Sequence, residues 1–201
     1  RMLDERSQPL TDPSITRLAD RMAAAMGIPA IKVRVFEVEP VNGLAAPDGR
    51  IFLTRGFLNR KAQGEVTAEE LASVIAHEMG HVAQGHMRRR MIDFTGQNAV
   101  FVMLSALLNR FLPFIGIWIA NLISTALMAR LSRRDEFEAD AWASALLIKA
   151  GIGTGPQKSL FRKLEALTQN RAEGVPAWLL SHPHVEERIA AIEANEARWV
   201  G

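Results

Sequence analysis

The chain has 201 residues, of which 48% are hydrophobic and 23% charged, which is enough for one globular domain with a buried core. It contains no cysteine, which excludes a disulfide scaffold, a thiolate zinc site, an iron–sulfur cluster and a cysteine nucleophile. The formal net charge is only +2, so the charge balance does not indicate nucleic-acid binding, and no nucleic-acid partner is expected.

The first third of the chain predicts one helix and a small β-sheet. Residues 13–26 carry apolar side chains at helical spacing, and a glycine and a proline follow closely. Residues 31–36 alternate between apolar and polar side chains, as in a half-buried strand. Two further short segments, 44–46 and 50–54, flank a Pro-Asp-Gly turn and predict a β-hairpin.

From residue 67 onward the sequence is mainly helical. Thr67 and Glu70 form a capping-box pattern at the start of an amphipathic helix, and the run 88–90 of three arginines is expected near its negative C-terminal end. A final helix is expected at about 184–198, with Pro183 in its first turn. The fold class that follows is α+β, dominated by helix.

The helix that begins at Thr67 carries the strongest chemical signal, a His-Glu-Met-Gly-His sequence at residues 77–81. Residues four apart lie on one face of a helix, so His77 and His81 can bind one metal ion. Neutral imidazole suits zinc, and Glu78 can take a proton from water that the metal acidifies. The alternative is an ordinary helix with two histidines, but burying these groups on an apolar face without a partner would be costly.

A catalytic zinc site of this kind needs a third protein ligand. Met87 stands where a third histidine of an extended pattern would lie, and His86 is off the face of His81, where it caps or packs. Downstream, Glu136 and Asp140 are four residues apart and can serve as a glutamate ligand and as a carboxylate that accepts the free N–H of a metal-bound histidine. The alternative is a solvated acidic start of another helix.

Together, these two segments resemble the gluzincin metallopeptidases of the HtpX and CAAX-prenyl-protease type. Residues 42–58 are similar to that family's N-A-F-A…G-x-I-x-x-T-x-G-L stretch, except that Gly43-Leu44 replaces its Ala-Phe. Residues 181–189 are similar to its closing HPPxxxRI element, with His184 in place of the second proline. The resemblance runs from about residue 15 to residue 192 and implies a zincin-like α+β domain in which a small sheet lies beside the zinc helix.

The resemblance also implies a role for each residue of the site. His77, His81 and Glu136 would hold one zinc ion (Zn²⁺) per chain. Glu78 would act as general base and acid, and Asp140 would orient a ligand.

Two residues of the closing element, His182 and Arg188, have roles that the sequence leaves open. The chain has no tyrosine, so one of them must polarise the tetrahedral intermediate if any side chain does. Both are therefore catalytic candidates. His182 can instead be a fourth zinc ligand that closes the resting site, or a cap of the final helix; His184 ranks below it.

A long apolar tract separates the zinc helix from Glu136. Between Asp93 and Arg130 the only charge is Arg110, which leaves uncharged runs of 16 and 19 residues. The longer run, 111–129, would be about 28 Å long as a helix, close to the thickness of a bilayer. Three interpretations are open: two buried or partner-covered helices, a shallow membrane contact or hydrophobic substrate cradle, and a transmembrane hairpin with Arg110 at its tip.

We therefore expect a single metallopeptidase domain over residues 1–201, with an apolar helical insertion at about 94–131 that is membrane-facing or buried. Residues 1–13 are polar and do not predict a secretory signal peptide, and the Arg1-Met2 start suggests that a targeting or anchoring segment has been trimmed. The resemblance implies a bacterial, membrane-associated protein, periplasmic or at the inner membrane, without indicating which side the site faces.

The main hypothesis is a zinc-dependent endopeptidase that cleaves membrane-associated or misfolded proteins by metal-activated water. Its protein or peptide substrates would lie extended along the sheet edge near residues 44–46. The rival hypothesis is a zinc-binding, membrane-associated chaperone or assembly adapter with little proteolysis. The open fourth position of a three-ligand site argues against a purely structural ion, because structural zinc sites are usually closed by four protein ligands.

Overall fold

The computed structural model describes residues 2–111, 115–169 and 176–200. The expected class is confirmed: helices predominate, and the strands form one small sheet. In chain order the elements are α1 (Met2–Glu5), β1 (Ser7–Pro9), α2 (Pro13–Met26), β2 (Val33–Phe36), β3 (Gly43–Ala45), β4 (Ile51–Thr54), α3 (Arg55–Ala62), α4 (Ala68–Ala83), α5 (His86–Phe111), α6 (Gly116–Lys149), α7 (Gly155–Gln169), α8 (Ala177–Ser181) and α9 (Val185–Val200).

The sheet is mixed and has the strand order β1-β2-β4-β3. β2 and β4 are parallel, with Val33 opposite Ile51, whereas β1 and β3 pair antiparallel with their neighbours. The antiparallel β3–β4 pair confirms the predicted hairpin, and the predicted strand at 31–36 begins two residues later, at Val33. β3 is therefore an outer strand of this sheet.

The two faces of β4 enter two separate apolar clusters because side chains alternate along a strand. Ile51 and Leu53 pack into the main core with α2, α4 and α7. Phe52 points the other way and packs with Phe36 and Ala46. The sheet thus closes one side of the core in which α4 lies.

Helix α4 is the central helix of this core. Thr67 accepts a hydrogen bond from the backbone N–H of Glu70, and the Glu70 carboxylate accepts one from the backbone N–H of Thr67, which confirms the predicted capping box. The Glu70 carboxylate also accepts hydrogen bonds from Ser159 and Lys163 of α7. Every residue of α4 from 70 to 81 is buried, so polar side chains in that segment must find partners inside the protein.

Two details of the sequence prediction are wrong. The arginine run 88–90 is not at the end of α4, because α4 ends at Ala83 and a glycine with positive φ, Gly85, separates it from α5. Pro183 is not in the first turn of α9, because His184 adopts a φ of 67° and the helix begins only after it.

The chain divides into two compact units, residues 1–84 with 137–201, and residues 85–136. The second unit is a helical hairpin made of α5 and the first part of α6. At its base, Arg89 forms an ion pair with Asp135 at 3.3 Å, and midway the Gln97 amide donates to the carbonyl of Ser124. Near its tip, a Cβ on Gly116 would come within 2.6 Å of the backbone of α5, so only glycine permits this approach.

The hairpin exposes large apolar side chains in this single chain. Trp118 is 73% exposed, and Phe111 and Leu122 are each 70% exposed. In the part of the chain that the structure describes, no helix combines the length and hydropathy needed to cross a bilayer. Residues 112–114, which include Pro113, lie outside the described residues.

Candidate metal centre

Helix α4 carries His77 and His81 on one buried face, one turn apart. Their Nε2 atoms are 3.1 Å apart, and the rings meet edge to face with centroids 4.7 Å apart. Both side chains are at least 95% buried, so water cannot satisfy their polar nitrogens from outside. The convergence follows from helix geometry, since side chains at i and i+4 lie one above the other.

Helix α6 brings Asp140 to the back of His77. Asp140 Oδ1 is 2.9 Å from His77 Nδ1, and because an ionised carboxylate can only accept, Nδ1 carries the proton and donates it. The Nε2 atom of His77 is then unprotonated and can bind a cation through its lone pair. Burial raises the pKa of Asp140, but the charge and hydrogen bonds of Arg188 and the hydrogen bond from His77 outweigh it and hold that pKa at about 2.

This pairing depends on a close approach of the two helices at Gly80. A Cβ at Gly80 would lie 2.7 Å from the carbonyl oxygen of Ala139 and 3.0 Å from its Cα. Glycine therefore lets the α6 backbone, and Asp140 with it, lie directly against α4.

Glu136 and Asp140 lie in the middle of α6 and not at the start of a helix. Both are 1% exposed, so the alternative of a solvated acidic helix start is wrong. Glu136 lies one turn before Asp140, at the boundary with the hairpin unit. One ligand atom from each of four buried residues, His77, His81, Glu136 and His182, lies within 4.8 Å of the others.

His182 is the residue at which α8 ends. Its backbone N–H donates to the carbonyl of Trp178, and its carbonyl accepts from Arg188. The side chain enters the cluster: Nδ1 is 3.2 Å from His77 Nε2, and Nε2 is 3.4 Å from Glu78 Oε1. His184, in contrast, is exposed and precedes α9.

Glu78 follows His77 on α4 and is 3% exposed. In the described part of the chain its Oε1 atom is buried without a hydrogen-bond donor. A buried carboxylate oxygen in that state fits a site that also holds an ion or water. The histidine spacings fit as well, since nitrogens sharing a tetrahedral zinc ion lie about 3.3 Å apart at zinc–nitrogen distances of about 2.0 to 2.1 Å.

Arg188 projects from α9 and is completely buried behind His77. Its Nε and Nη2 atoms donate to the two oxygens of Asp140 at 2.6 and 2.8 Å, and Nη1 donates to the carbonyl of His182 at 2.9 Å. This bidentate pair gives the carboxylate a fixed orientation.

Sequence reasoning missed two aromatic residues next to the centre, Trp178 of α8 and Phe161 of α7. The Trp178 ring lies 5.0 Å from the ring of His182 and 5.6 Å from that of His77, between centroids. A tryptophan four residues before His182 was the available signal, because in a helix these two positions share a face.

Comparison with known proteins agrees with this geometry. Residues 9–196 match peptidase family M48. The metalloprotease LoiP of Escherichia coli is 28% identical over 181 residues, which cover 88% of this chain and 70% of that protein. A protease HtpX homolog of Janthinobacterium is also 28% identical, over 87% of this chain and 69% of that protein.

A third relative is a putative beta-barrel assembly-enhancing protease of Vibrio cholerae, 29% identical over 94% of this chain but only 40% of its own length. All three relatives are named as proteases, which favours the endopeptidase hypothesis and not the adapter hypothesis. Since the family match includes α4, α6 and the segment of His182, the chain belongs to peptidase family M48 and is a metalloprotease.

Proposed function

We propose that the chain is a zinc-dependent endopeptidase whose general base is Glu78. The observation that supports this best is the convergence of imidazole nitrogens from His77, His81 and His182 beside a buried carboxylate. His77, His81 and Glu136 would hold one zinc ion per chain. Zinc bound at such a site acidifies water and polarises the scissile carbonyl as a Lewis acid.

Glu78 would move the proton. Its carboxylate is next to His77 along the chain and near His182 in space, and burial strengthens its interaction with a proton donor. It takes a proton from the attacking water and returns it to the leaving amine, which is general base and then general acid catalysis by one group.

His182 is proposed as a gate. With Nδ1 near His77 Nε2, its imidazole can act as a fourth ligand and occupy the position that water needs. Displacement of the segment 179–184 would open that position, and His182 could then donate to the oxyanion. The exposed residue His184, with φ of 67°, follows this segment directly.

Arg188 and Asp140 are proposed as positioning residues. Arg188 was a candidate for polarising the intermediate, but its guanidinium is committed to Asp140 and to the carbonyl of His182. The arrangement favours a role behind the site: Asp140 fixes the tautomer and the ring plane of His77, and Arg188 fixes Asp140.

The substrate is proposed to pair with the outer strand β3. Gly43 lies against α4, where a Cβ would come within 2.5 Å of Val74 and 3.8 Å of the Cγ atom of Glu78. Since β3 is an outer strand, an extended peptide can add to it antiparallel or parallel and lie beside Glu78. Gly43, a departure from the family pattern, lets this strand lie closer to the zinc helix than alanine would.

The hairpin 85–136 is proposed as an insertion into a single peptidase domain that touches a membrane surface. Exposed apolar side chains cover both of its helices, and exposed arginines at 88, 130, 133 and 134 surround its base. Exposed apolar side chains along the helices, with arginines at the end nearest residues 88 and 134, suit shallow insertion among anionic lipid headgroups. Membrane-associated or misfolded bacterial proteins are then the proposed substrates, in agreement with bacterial relatives.

The test of the proposed function is Glu78→Gln, which preserves the shape of the side chain and removes its basicity. We expect the zinc content, measured by plasma mass spectrometry, to stay at one per chain, and casein cleavage to fall by at least about 100-fold. Glu69→Gln, an exposed residue of the same helix, serves as the control and should cleave normally. Cleavage by Glu78→Gln at the wild-type rate would contradict the proposal.

A further inference from the structure

The guanidinium of Arg188 is enclosed by more than its hydrogen bonds. The residue is 0% exposed, and burial of a charge is costly unless the surroundings stabilise it. Asp140 and the carbonyl of His182 satisfy donors in the plane of the group. The two flat faces of the guanidinium do not donate hydrogen bonds, so apolar or aromatic neighbours can contact them.

Two aromatic rings contact the guanidinium. The Cζ atom of Arg188 lies 4.5 Å from the ring centroid of Phe161 and 5.3 Å from that of Trp178. The two rings also stack on each other, with centroids 5.3 Å apart and an interplanar angle of 29°. Since the negative face of an aromatic ring attracts a cation, most strongly where water is excluded, both contacts stabilise the buried charge.

Trp178 acts here through its ring and not through its N–H group. Its Nε1 atom is buried and has no hydrogen-bond partner among the described residues. A buried indole N–H usually finds an acceptor. An aromatic ring without that group would therefore keep the favourable contact and remove the unsatisfied donor.

We infer that Phe161 and Trp178 form an aromatic cage for Arg188 and are positioning residues for metal binding. The chain of contacts runs from the cage to Arg188, from Arg188 to Asp140, and from Asp140 to Nδ1 of His77. Loss of the cage lets the guanidinium move, frees Asp140 to turn, and lowers the affinity of His77 for the cation. The inference rests on the proposed zinc site.

The experiment compares Trp178→Phe with Trp178→Leu. Zinc affinity is measured on metal-free protein by competition with a chromophoric chelator, and the free energy of unfolding is measured in parallel with urea. Changes in groups that orient a metal ligand lower affinity about 10- to 100-fold. We expect that loss for Trp178→Leu and for Phe161→Leu, and a change of less than about threefold for Trp178→Phe.

Phe57→Leu is the matched control, because Phe57 is a fully buried phenylalanine of α3. It should lower stability in the metal-free state as Phe161→Leu does and leave the zinc affinity unchanged. Equal losses for Trp178→Phe and Trp178→Leu, or an equal loss for Phe57→Leu, would overturn the cage. If the wild-type chain itself bound no zinc, the proposed function would fail instead.

A double-mutant cycle gives a second test. In an Arg188→Met background, Trp178→Leu should cause no further loss of zinc affinity, because the ring acts through the guanidinium. Additive losses would show that Trp178 acts by direct packing on the rings of His77 and His182, and would overturn the inference. Should Arg188→Met fail to fold, the comparison of Trp178→Phe with Trp178→Leu decides alone.

Discussion

Asp140 accepts a hydrogen bond from His77 Nδ1 at 2.9 Å although the two residues are 63 positions apart in the chain. The pair fixes which nitrogen of His77 is protonated and turns Nε2 towards His81 and His182. Because the same carboxylate is held by Arg188, the orientation of a metal-binding imidazole depends on three helices at once: α4, α6 and α9.

Asp140→Asn should weaken zinc binding. Asparagine keeps the size of the side chain but loses the charge that pairs with Arg188 and strengthens the hydrogen bond from His77. We expect the zinc affinity to fall about 10- to 100-fold, measured by chelator competition. Asp20→Asn, an exposed change on α2, is the control. Unchanged affinity in Asp140→Asn would mean that this contact does not orient His77.

His182→Ala separates the possible roles of the gate. If His182 is a fourth ligand, removing it should lower the zinc affinity by at least about tenfold. Changes in residues that only orient a ligand already lower metal affinity by about that much. Basal casein cleavage should rise, because the position that water needs becomes open. His184→Ala, exposed and outside the cluster, should change neither quantity.

The opposite pattern in His182→Ala would assign a different role. Loss of cleavage with zinc affinity intact would indicate an oxyanion donor and reject the gate. No change in either quantity would leave His182 as a residue that only ends α8.

Gly80→Ala tests the close approach of α4 and α6. Alanine gains about 1 kcal/mol of helix propensity, but its Cβ would lie 2.7 Å from the carbonyl oxygen of Ala139, and such overpacking costs about 1 to 3 kcal/mol. We expect a net loss of unfolding free energy of about 1 kcal/mol and weaker zinc binding, since Asp140 moves away from His77.

Gly96→Ala is the matched control for that change. Gly96 also lies in a helix, α5, but a Cβ there meets no heavy atom within 4 Å. It should stabilise the protein by up to about 1 kcal/mol and leave zinc binding unaltered. If both glycine variants gain stability in urea unfolding, the contact with Ala139 is not restrictive.

Local patterns were read well from the sequence, because neighbours in a helix or strand are set by short-range geometry. The capping box at Thr67 and the one-turn spacing of His77 and His81 needed only helix periodicity. The β3–β4 hairpin needed only alternation and turn residues.

Contacts between residues far apart in the chain could not be predicted from such local patterns. The spacing of Glu136 and Asp140 indicates a carboxylate that orients a metal-bound histidine but does not identify which histidine. The cage of Phe161 and Trp178 is not predicted from the sequence, because it depends on how α7, α8 and α9 pack. The charged sequence around Glu136 is also compatible with the start of a helix. In the structure α6 runs unbroken from Gly116 to Lys149, so Glu136 lies inside it.

The hairpin prediction concerns vesicle binding. Trp118→Ser with Leu122→Ser removes two of its most exposed apolar side chains, at about 70% exposure each. Apolar burial of such side chains contributes about 1.5 to 3 kcal/mol when complete, so shallow insertion should lose about tenfold to thirtyfold in affinity for vesicles of phosphatidylglycerol and phosphatidylcholine. Leu180→Ser, 70% exposed but outside the hairpin, is the control and should bind normally.

The arginines at the base of the hairpin should add a salt-dependent contribution to vesicle affinity. The serine variant should keep this contribution. Replacing the arginines at 130, 133 and 134 by glutamine should remove about 1 kcal/mol each at low ionic strength, and binding of the wild-type chain should weaken as salt is raised. Co-sedimentation measures both effects. If the serine variant binds vesicles as the wild type does, the apolar side chains of the hairpin do not insert into the membrane. If the wild-type protein does not bind vesicles and instead dimerises through these residues, the hairpin contacts a protein surface and not a membrane.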